Sequence, residues 1–528
     1  MRIAALDLGS NSFHLLVADV RPDGSLEPIV RDKEMLRIGS RVALTGEVGD
    51  VAGRAALDVV RRFAALAESL DAEEIVACGT AALRHASDAA ELITRIEVAT
   101  GIQVRVITGE EEARLIFGAV RASVVIDAGP ERPSEPGTRP ALAMDLGGGS
   151  LELMVGDQSG LEWCTSLELG VAKLTAELVR SDPPSAGDRR RVVRRVREAL
   201  EPCMPEIEAA SPVRGIASSG TLTTLIRLAA ADDGQVPASV NQLGVGIDRL
   251  RQLEEDLLKQ TSAQRADLPG VDARRADLLP AGILTCVTVM DMAGIDQLIG
   301  CEWALREGMV LDAIATSTAG TRADDPSALR RRSVLDLCRR CRWPDVHSRK
   351  VARLAVELFD GTVERHGLGA EDRELLEFGA LLHDVGEHVS ADNHERHSAY
   401  LIQHGRLRGF SPEEVDVLAC LGRFHRRGNP KASFEAWAGL APARRERTLP
   451  LIALLQAADG LDRGHGGPVR DVRVTSGPGP LIEVNVDADG DIDLERYGLR
   501  RKGELLERLF SCRLELVERG TLADQLAV

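Results

Sequence analysis

The feature that most constrains the fold is an internal repeat near the start of the chain. Residues 7–19 align without a gap with residues 145–157, and seven of the 13 aligned pairs are identical. In each copy an apolar run ends at an aspartate, a turn of small residues follows, and a second apolar run returns. This pattern predicts two β-hairpins whose turns are made of Gly, Ser and Asn. A repeated hairpin of this kind predicts two related lobes.

The composition of the two turns is typical of phosphate binding. Glycine lets the backbone approach a ligand closely, and successive N–H groups of a tight turn form an anion-binding hollow. Asp7 and Asp145, one at each strand end, can hold Mg²⁺, because that ion prefers a few carboxylates together with phosphate oxygens. Two ordinary glycine-rich hairpins are the alternative interpretation. The expected phosphate-binding residues are Gly9, Ser10, Asn11, Ser12, Gly147, Gly148, Gly149 and Ser150.

Seven segments together resemble the exopolyphosphatase/guanosine pentaphosphatase (Ppx/GppA) family, within the superfamily of sugar kinases, heat-shock chaperones and actin. These segments are 7–12, 79–84, 107–115, 145–152, 268–270, 274–277 and 305–308. The resemblance implies an α/β fold of two duplicated ribonuclease-H-like lobes, at residues 1–122 and 123–315, and a homodimer. It also implies release of terminal orthophosphate from inorganic polyphosphate, with guanosine pentaphosphate as a second substrate that loses its 5′ phosphate.

The same resemblance assigns two glutamates to catalysis. Glu112 is the last of three glutamates at the start of an expected helix, and it matches the family's catalytic base. Glu152 matches a second acidic position near the metal and the attacking water. Arg84 ends a Gly-Thr-x-x-x-Arg segment, where a guanidinium can bind phosphate with two donors. The structural alternatives are a helix N-terminus stabilised by acidic residues, a solvent-facing strand glutamate and a surface arginine.

Nine of the 11 histidines follow Arg330, which indicates separate chemistry in the C-terminal part of the chain. Imidazoles and carboxylates on neighbouring helices can build a metal site. The candidate ligands are His347, His383, Asp384 and Asp459, with His397 and His425 as extra ligands. Their order resembles that of HD-type metal-dependent phosphohydrolases. This implies an all-α HD-like domain at residues 331–466 that binds a second divalent metal, and leaves open whether it is catalytic.

Two segments flank this expected domain. The stretch 316–326 is small, polar and aperiodic, which predicts a linker. At residues 470–528, an alternating pattern at 481–486, a helical pattern from Leu494 and a final apolar run predict a small α+β cap without chemistry of its own. Cys338 and Cys341 form a single C-x-x-C pair, which we interpret as structural rather than as a zinc or redox site.

Charge and composition limit the partners. With 82 acidic and 65 basic residues the net charge is −17, so general binding of nucleic acid or of an anionic membrane is not expected. A phosphate chain would have to meet local cations and metal. The sequence has no long apolar run, no signal-peptide core and no framework spacing of its nine cysteines, which predicts a cytoplasmic protein. The rival functions are a kinase of the same superfamily and a catalytically silent polyphosphate or alarmone sensor.

Overall fold

The structure is a computed structural model that describes residues 1–21, 25–126, 140–231, 235–317, 326–426, 428–465, 467–476 and 479–518. The chain divides into two compact units, Met1–Leu329 and Arg330–Val528. The linker predicted at 316–326 lies mostly outside the described residues. Within the described ranges, no helix combines the length and the apolar character that crossing a membrane requires.

The N-terminal unit alternates strands and helices, as expected for the α/β class. Its strands are β1 (Arg2–Leu8), β2 (Ser12–Val20), β3 (Leu26–Met35), β4 (Glu74–Gly79), β5 (Val104–Val106), β6 (Ala141–Leu146), β7 (Leu151–Gly156), β8 (Leu161–Leu167), β9 (Gly215–Ser218), β10 (Gly244–Gly246) and β11 (Gln297–Gly300). Its helices are α1 (Ile38–Thr45), α2 (Asp50–Ser69), α3 (Ala81–His85), α4 (Ala89–Thr100), α5 (Gly109–Arg121), α6 (Val171–Leu178), α7 (Ala186–Leu200), α8 (Met204–Ala210), α9 (Gly220–Ala229), α10 (Ile247–Leu257), α11 (Ser262–Ala266), α12 (Leu279–Ala293) and α13 (Leu305–Ser317).

The first sheet has the strand order β3-β2-β1-β4-β5. Strand β1 pairs antiparallel with β2 and parallel with β4. Because β1 is a central strand, residues on both of its faces are buried, which explains its almost continuous apolar sequence. The β1–β2 register places Asp7 directly opposite His14.

The second sheet repeats this arrangement. Its order is β10-β11-β9-β6-β7-β8, and β6 pairs antiparallel with β7 and parallel with β9. Without the edge strand β10, the order and directions of β8-β7-β6-β9-β11 match those of β3-β2-β1-β4-β5. The register of β6 and β7 places Asp145 opposite Glu152. The internal repeat therefore corresponds to the same strand pair in each sheet, as the sequence predicted.

Helices α5 and α13 pack in a hydrophobic core that also contains residues of both sheets, including Ile3 of β1 and Ala141 of β6. Helix α5 begins at Gly109, after Thr108 caps it by accepting a hydrogen bond from the Glu111 N–H at 3.1 Å. This cap fixes the direction from which the glutamates of the first turn enter the unit.

The C-terminal unit is mainly helical, with a three-stranded sheet of order β12-β13-β14. Its helices are α14 (Pro326–Arg340), α15 (Asp345–Gly361), α16 (Val363–His366), α17 (Ala370–Leu382), α18 (His394–His404), α19 (Pro412–Phe424), α20 (Glu435–Gly439), α21 (Pro442–Gly460), α22 (Asp493–Lys502) and α23 (Glu504–Phe510). Its strands are β12 (Val469–Ser476), β13 (Leu481–Ala488) and β14 (Arg513–Glu518).

The tail of this unit contains the predicted strand at 481–486, helical structure near Leu494 and a final strand. Its apolar side chains, such as Val484 and Leu499, belong to the same hydrophobic core as the helices before it. Cys338 and Cys341 are buried free thiols, and burial raises the pKa of both. That environment fits the structural interpretation of the pair.

Candidate active site and a histidine-aspartate cluster

A cavity of about 360 Å³ opens at the ends of the two hairpins in the N-terminal unit. Its lining includes Asp7, Gly9, Ser10, Asn11, Ser12, Glu112, Asp145, Gly147, Gly148, Gly149 and Ser150. Every residue that the sequence predicted for phosphate binding in the two turns therefore faces one space. The cavity is the candidate active site, and we call it the front cleft.

The two turns contact each other across the front cleft. A Cβ atom added to Gly148 would lie 2.8 Å from the Cβ of Asn11, and one added to Gly149 would lie 2.5 Å from Ser10 Oγ. Glycine is needed at these positions because no side chain fits between the two turns. Ser10 Oγ also accepts a hydrogen bond from the Ala82 N–H at 3.0 Å, which fixes the first turn to the start of α3.

The acidic residues Asp7, Glu112 and Asp145 line the front cleft, and the predicted Glu152 lies near them but is not part of the lining. Burial raises the pKa of Asp7 to about 7 and that of Asp145 to about 6. Burial, with the nearby charges of Glu112 and Asp145, also raises the pKa of Glu152 well above its ordinary range. Glu152 is almost fully buried, and its Oε1 accepts a hydrogen bond from Ser166 Oγ at 2.7 Å. Such crowded carboxylates favour a bound cation, because a positive charge relieves both burial and repulsion.

Glu112 lies in the first turn of α5, a helix that packs on β7 and β8 of the second sheet, and its side chain lines the front cleft. Burial raises its pKa to about 7, although the Arg84 guanidinium, which donates to Glu112 Oε2 at 2.7 Å, acts to lower it. Arg84 also donates to the carbonyl of Ile107 at 2.9 Å. Arg84 was predicted to bind phosphate, and in this structure its contacts hold the glutamate.

The cleft also contains basic side chains that the sequence analysis did not assign to it. Lys33, Arg275 and Arg306 line the cavity together with Arg31. Arg275 is largely buried, and its Nε is a buried donor without a hydrogen-bond partner among the described residues. Burying a cation in this way costs free energy that an anionic ligand offsets. Arg275 and Arg306 fall in segments 274–277 and 305–308, so the family motifs already contained this signal.

In the C-terminal unit, the predicted ligands do come together. Two overlapping groups, His347 with His383 and Asp459, and His383 with Asp384 and His425, each have ligand atoms within 4.8 Å of one another. His383 Nε2 lies 3.1 Å from Asp384 Oδ2, and His347 Nε2 lies 3.5 Å from the same oxygen. Among the described residues, three such ligand atoms come this close only in the C-terminal unit. We call these residues, with His394, the histidine-aspartate cluster.

Of the two extra histidines that were predicted, His425 lies in the cluster, but His394 lies there instead of His397. His394 Nε2 lies 3.2 Å from Asp384 Oδ1, and His425 Nε2 lies 3.3 Å from the same oxygen. His397 belongs to none of the candidate metal groups found among the described residues. The two candidates lie three residues apart on α18, which is almost one helical turn, so the sequence spacing did not separate them.

The ring orientations in the cluster suit a metal. Three imidazoles form a hydrogen bond through Nδ1 to a group outside the cluster. The partner of His347 is Asp462 Oδ2 at 2.8 Å. The partners of His383 and His425 are the carbonyls of Ala380 at 2.7 Å and of Gly422 at 2.8 Å. An Nδ1–H that donates outward leaves the Nε2 lone pair directed at the centre. The Nε2 atoms of His347 and His383 are buried and make no hydrogen bond among the described residues.

The electrostatics of the cluster come from mixed charges. Burial would raise the pKa of Asp384, but His383, His394 and His425 outweigh it and hold that pKa well below its ordinary range. For Asp459 the opposing cation is Lys502 of α22, whose ammonium contacts Asp459 Oδ2. The tail was expected to have no chemistry of its own, and the structure adds that one of its residues, Lys502, contacts a candidate ligand.

Comparison with known proteins agrees with this organisation. The sequence profile described as the Ppx/GppA phosphatase family matches residues 16–317, and that described as Ppx/GppA phosphatase, domain III matches residues 329–475. The chain belongs to the Ppx/GppA phosphatase family. Exopolyphosphatase 1 of Mycobacterium tuberculosis is 33% identical over 334 residues, which cover 62% of this chain and 93% of that relative. Guanosine-5′-triphosphate,3′-diphosphate pyrophosphatase of Photobacterium profundum is 26% identical over 454 residues, or 86% of each chain.

Solved structures of the family resemble about three fifths of the chain. An exopolyphosphatase from Cytophaga hutchinsonii has a TM-score of 0.53 and 27% identity, covering 59% of this chain and 98% of that one. The Aquifex aeolicus member of the Ppx/GppA family has a TM-score of 0.50 and 25% identity, covering 61% of this chain and 99% of that one. The histidine-aspartate cluster lies in the region that matches the domain III profile.

Proposed function

We propose that the front cleft hydrolyses phosphoanhydrides, releasing terminal orthophosphate from inorganic polyphosphate and, as a second substrate, the 5′ phosphate of guanosine pentaphosphate. The observation that carries the proposal is the convergence of both turns, the acidic residues and the buried Arg275 on one cavity. Membership of the Ppx/GppA family supports a hydrolase over the kinase and the silent sensor. The named relatives act on these two kinds of substrate.

In this proposal Asp145 and Asp7 hold Mg²⁺, which neutralises charge on the phosphate oxygens when bound. The turns 9–12 and 147–150 cradle phosphate groups through N–H and hydroxyl donors. Arg275 and Arg306, which line the same cleft, contact further oxygens of the polyphosphate substrate. Together these residues hold the terminal phosphoryl group in line with a water molecule, which is most of what phosphoryl transfer requires.

Glu112 is the proposed general base. As the water oxygen bonds to phosphorus, Glu112 accepts a water proton, and the bond from phosphorus to the bridging oxygen breaks. A carboxyl with a pKa of about 7 suits this role, because it is partly ionised at neutral pH and binds a proton readily. Glu152, with its raised pKa, supports the metal and water site as a second acidic group.

The test is phosphate release from polyphosphate by Glu112→Gln. We expect a loss of roughly 10²–10⁴-fold, the usual contribution of a general base. Glu110→Gln is the matched control, because Glu110 is exposed in the same helical turn and its loss is expected to leave turnover intact. Full turnover in Glu112→Gln would contradict the mechanism. Dependence of turnover on ADP would instead indicate a kinase, and binding without turnover in the wild type would indicate a sensor.

We also propose that the histidine-aspartate cluster binds a divalent metal. The inward Nε2 atoms of His347 and His383, both buried and without hydrogen-bond partners among the described residues, support this. Metal analysis of the full chain should show bound metal that is lost in His383→Ala. His397→Ala is the matched control and should retain the metal. A wild-type chain that binds no metal beyond the front cleft would exclude the site.

The remaining expectations stay proposals of the family resemblance. They are the HD-like class of the helical domain at 331–466, the cap at 470–528, the lobe boundaries at 1–122 and 123–315, a homodimer and a cytoplasmic location. The proposed function requires neither nucleic acid nor a membrane.

A further inference from the structure

A second cavity, of about 670 Å³, lies in the C-terminal unit and is strongly basic. Its charged lining consists of six cations and one carboxylate, Glu395. The cations are Arg423, Arg426, Lys431, Arg463, Arg501 and Lys502. In a chain with a net charge of −17, such a concentration of positive charge indicates a site for a local anionic ligand.

Protein groups neutralise only part of this charge. Glu395 pairs with Arg423 at 3.2 Å and with Arg426 at 3.5 Å. Arg463 and Arg501 contact Tyr497 through its ring or hydroxyl group. Among the described residues, Lys431, Arg463 and Arg501 form no ion pair. These three side chains are therefore available to a ligand that brings negative charge.

The cavity adjoins the histidine-aspartate cluster through several neighbouring residues. Phe424 and Arg426 line it on either side of His425 in the sequence, and Glu395 follows His394. The direct link is Lys502, which lines the cavity and contacts Asp459 of the cluster. The cavity therefore lies next to the cluster, with Lys502 in contact with both.

We propose that this cavity binds a multiply phosphorylated anion, with one phosphate directed at the cluster and the others held by Lys431, Arg463 and Arg501. The volume is large enough for several phosphate groups, and guanidinium groups match the geometry of phosphate oxygens. The inference goes beyond hydrolysis in the front cleft, and its contact with the cluster rests on the divalent metal proposed there.

The test uses the full chain with Mn²⁺ and methylenediphosphonate, a diphosphate analogue that hydrolysis cannot consume. Titration calorimetry should detect two binding sites in the wild type, one in the front cleft and one in the basic cavity. The double variant Arg463→Ala/Arg501→Ala should weaken one of the two sites roughly 10- to 100-fold, as expected when charged hydrogen bonds are lost. Arg500→Ala, which removes one positive charge from an exposed neighbour outside the cavity lining, should bind like the wild type.

Phosphate release from polyphosphate should be unchanged in the double variant, which separates this site from the front cleft. One site in the wild type, or two unaltered sites in the double variant, would overturn the proposal. If the double variant fails to fold, Lys431→Glu on an exposed loop provides the same measurement. Displacement by sulfate at equal concentration would also overturn it, because a general anion site does not select phosphate chains.

Two further measurements identify the ligand and its metal contact. Comparing inorganic imidotriphosphate with guanosine 3′-diphosphate separates a phosphate chain from a nucleotide, and selective binding of either supports the proposal. His383→Ala should weaken analogue binding in the basic cavity but leave the front cleft unaffected. Unchanged affinity in His383→Ala would refute the contact with the cluster.

Discussion

The front cleft and the histidine-aspartate cluster both concentrate buried acidic groups, yet the environments shift the pKa values in opposite directions. In the front cleft, burial and mutual repulsion raise the pKa of Asp7 to about 7, and the pKa of Glu112 is also about 7. In the cluster, cations hold the pKa of Asp384 well below its ordinary range despite burial. In the front cleft burial outweighs the cations near the acids, Arg306 beside Asp7 and Arg84 beside Glu112. In the cluster the imidazoles and Lys502 outweigh burial.

The two sites also differ in what builds them. The front cleft is made from backbone turns, and its acids do not form a group of three within 4.8 Å among the described residues. That arrangement suits Mg²⁺, which keeps waters and takes part of its ligands from substrate phosphates. The cluster is made from side chains on helices, with imidazoles that suit transition metals. The contrast therefore predicts an exchangeable ion in the front cleft and a more firmly held ion in the cluster.

The largest expected effect comes from closing the space between the two turns. Gly149→Val places a Cβ 2.5 Å from Ser10 Oγ and 2.9 Å from the Cβ of Ala81, so the turns must separate. A displacement of about 1 Å lowers phosphate release by roughly 100-fold or more. Metal bound at the cluster should be unchanged. Gly160→Val is the control, because a Cβ added to Gly160 meets no described atom within 4 Å. Loss of cluster metal in Gly149→Val would show that the sites are not independent.

A smaller effect is expected from changing Asp462, the residue that orients the imidazole of His347 in the cluster. Asp462 Oδ2 accepts from His347 Nδ1 at 2.8 Å, and Asp462 Oδ1 pairs with Lys350 at 2.8 Å. Asp462→Asn keeps the shape but removes the charge that orients the imidazole, so metal affinity should fall roughly 10- to 100-fold. Chelator competition measures this, with the exposed Asp491→Asn as control. An unchanged affinity would mean that the ring orientation of His347 does not contribute to metal binding.

The paired turns were predictable from sequence because a hairpin turn is local, and its residues lie next to the strands that carry them. The pairing of Asp145 with Glu152 follows from the same local register. Arg275 falls in a segment that resembles a family motif, but its place in the cleft was not predictable from local pattern, and neither was the contact of Lys502, since each reaches its site through the packing of distant segments. The position of His394 depended on the rotation of α18, for which spacings of three residues give no reliable choice.

The smallest expected effect is a shift in the acidic limb of the pH-rate profile, the part in which the rate falls as the pH drops. In the proposed mechanism Glu112 acts as a carboxylate, and its pKa is about 7, so kcat/KM for polyphosphate should fall as the pH drops through that region. Among the causes of this pKa, burial raises it, and Arg84, 2.7 Å from Glu112 Oε2, acts to lower it. Removing the guanidinium in Arg84→Gln therefore raises the pKa, and the midpoint of the limb should move to higher pH.

The matched control is Arg105→Gln. Arg105 pairs with Glu111, which lies in the same helical turn as Glu112. Its removal should leave the midpoint in place. A lower kcat/KM in Arg84→Gln with an unshifted midpoint would mean that Arg84 acts on the phosphate, as the sequence first indicated. A midpoint that moves to higher pH would mean that it tunes the base, as the contact with Glu112 indicates. Metal binding at the cluster has a pH dependence of its own, because its imidazoles must be neutral to bind a metal, and it is therefore measured separately from this limb.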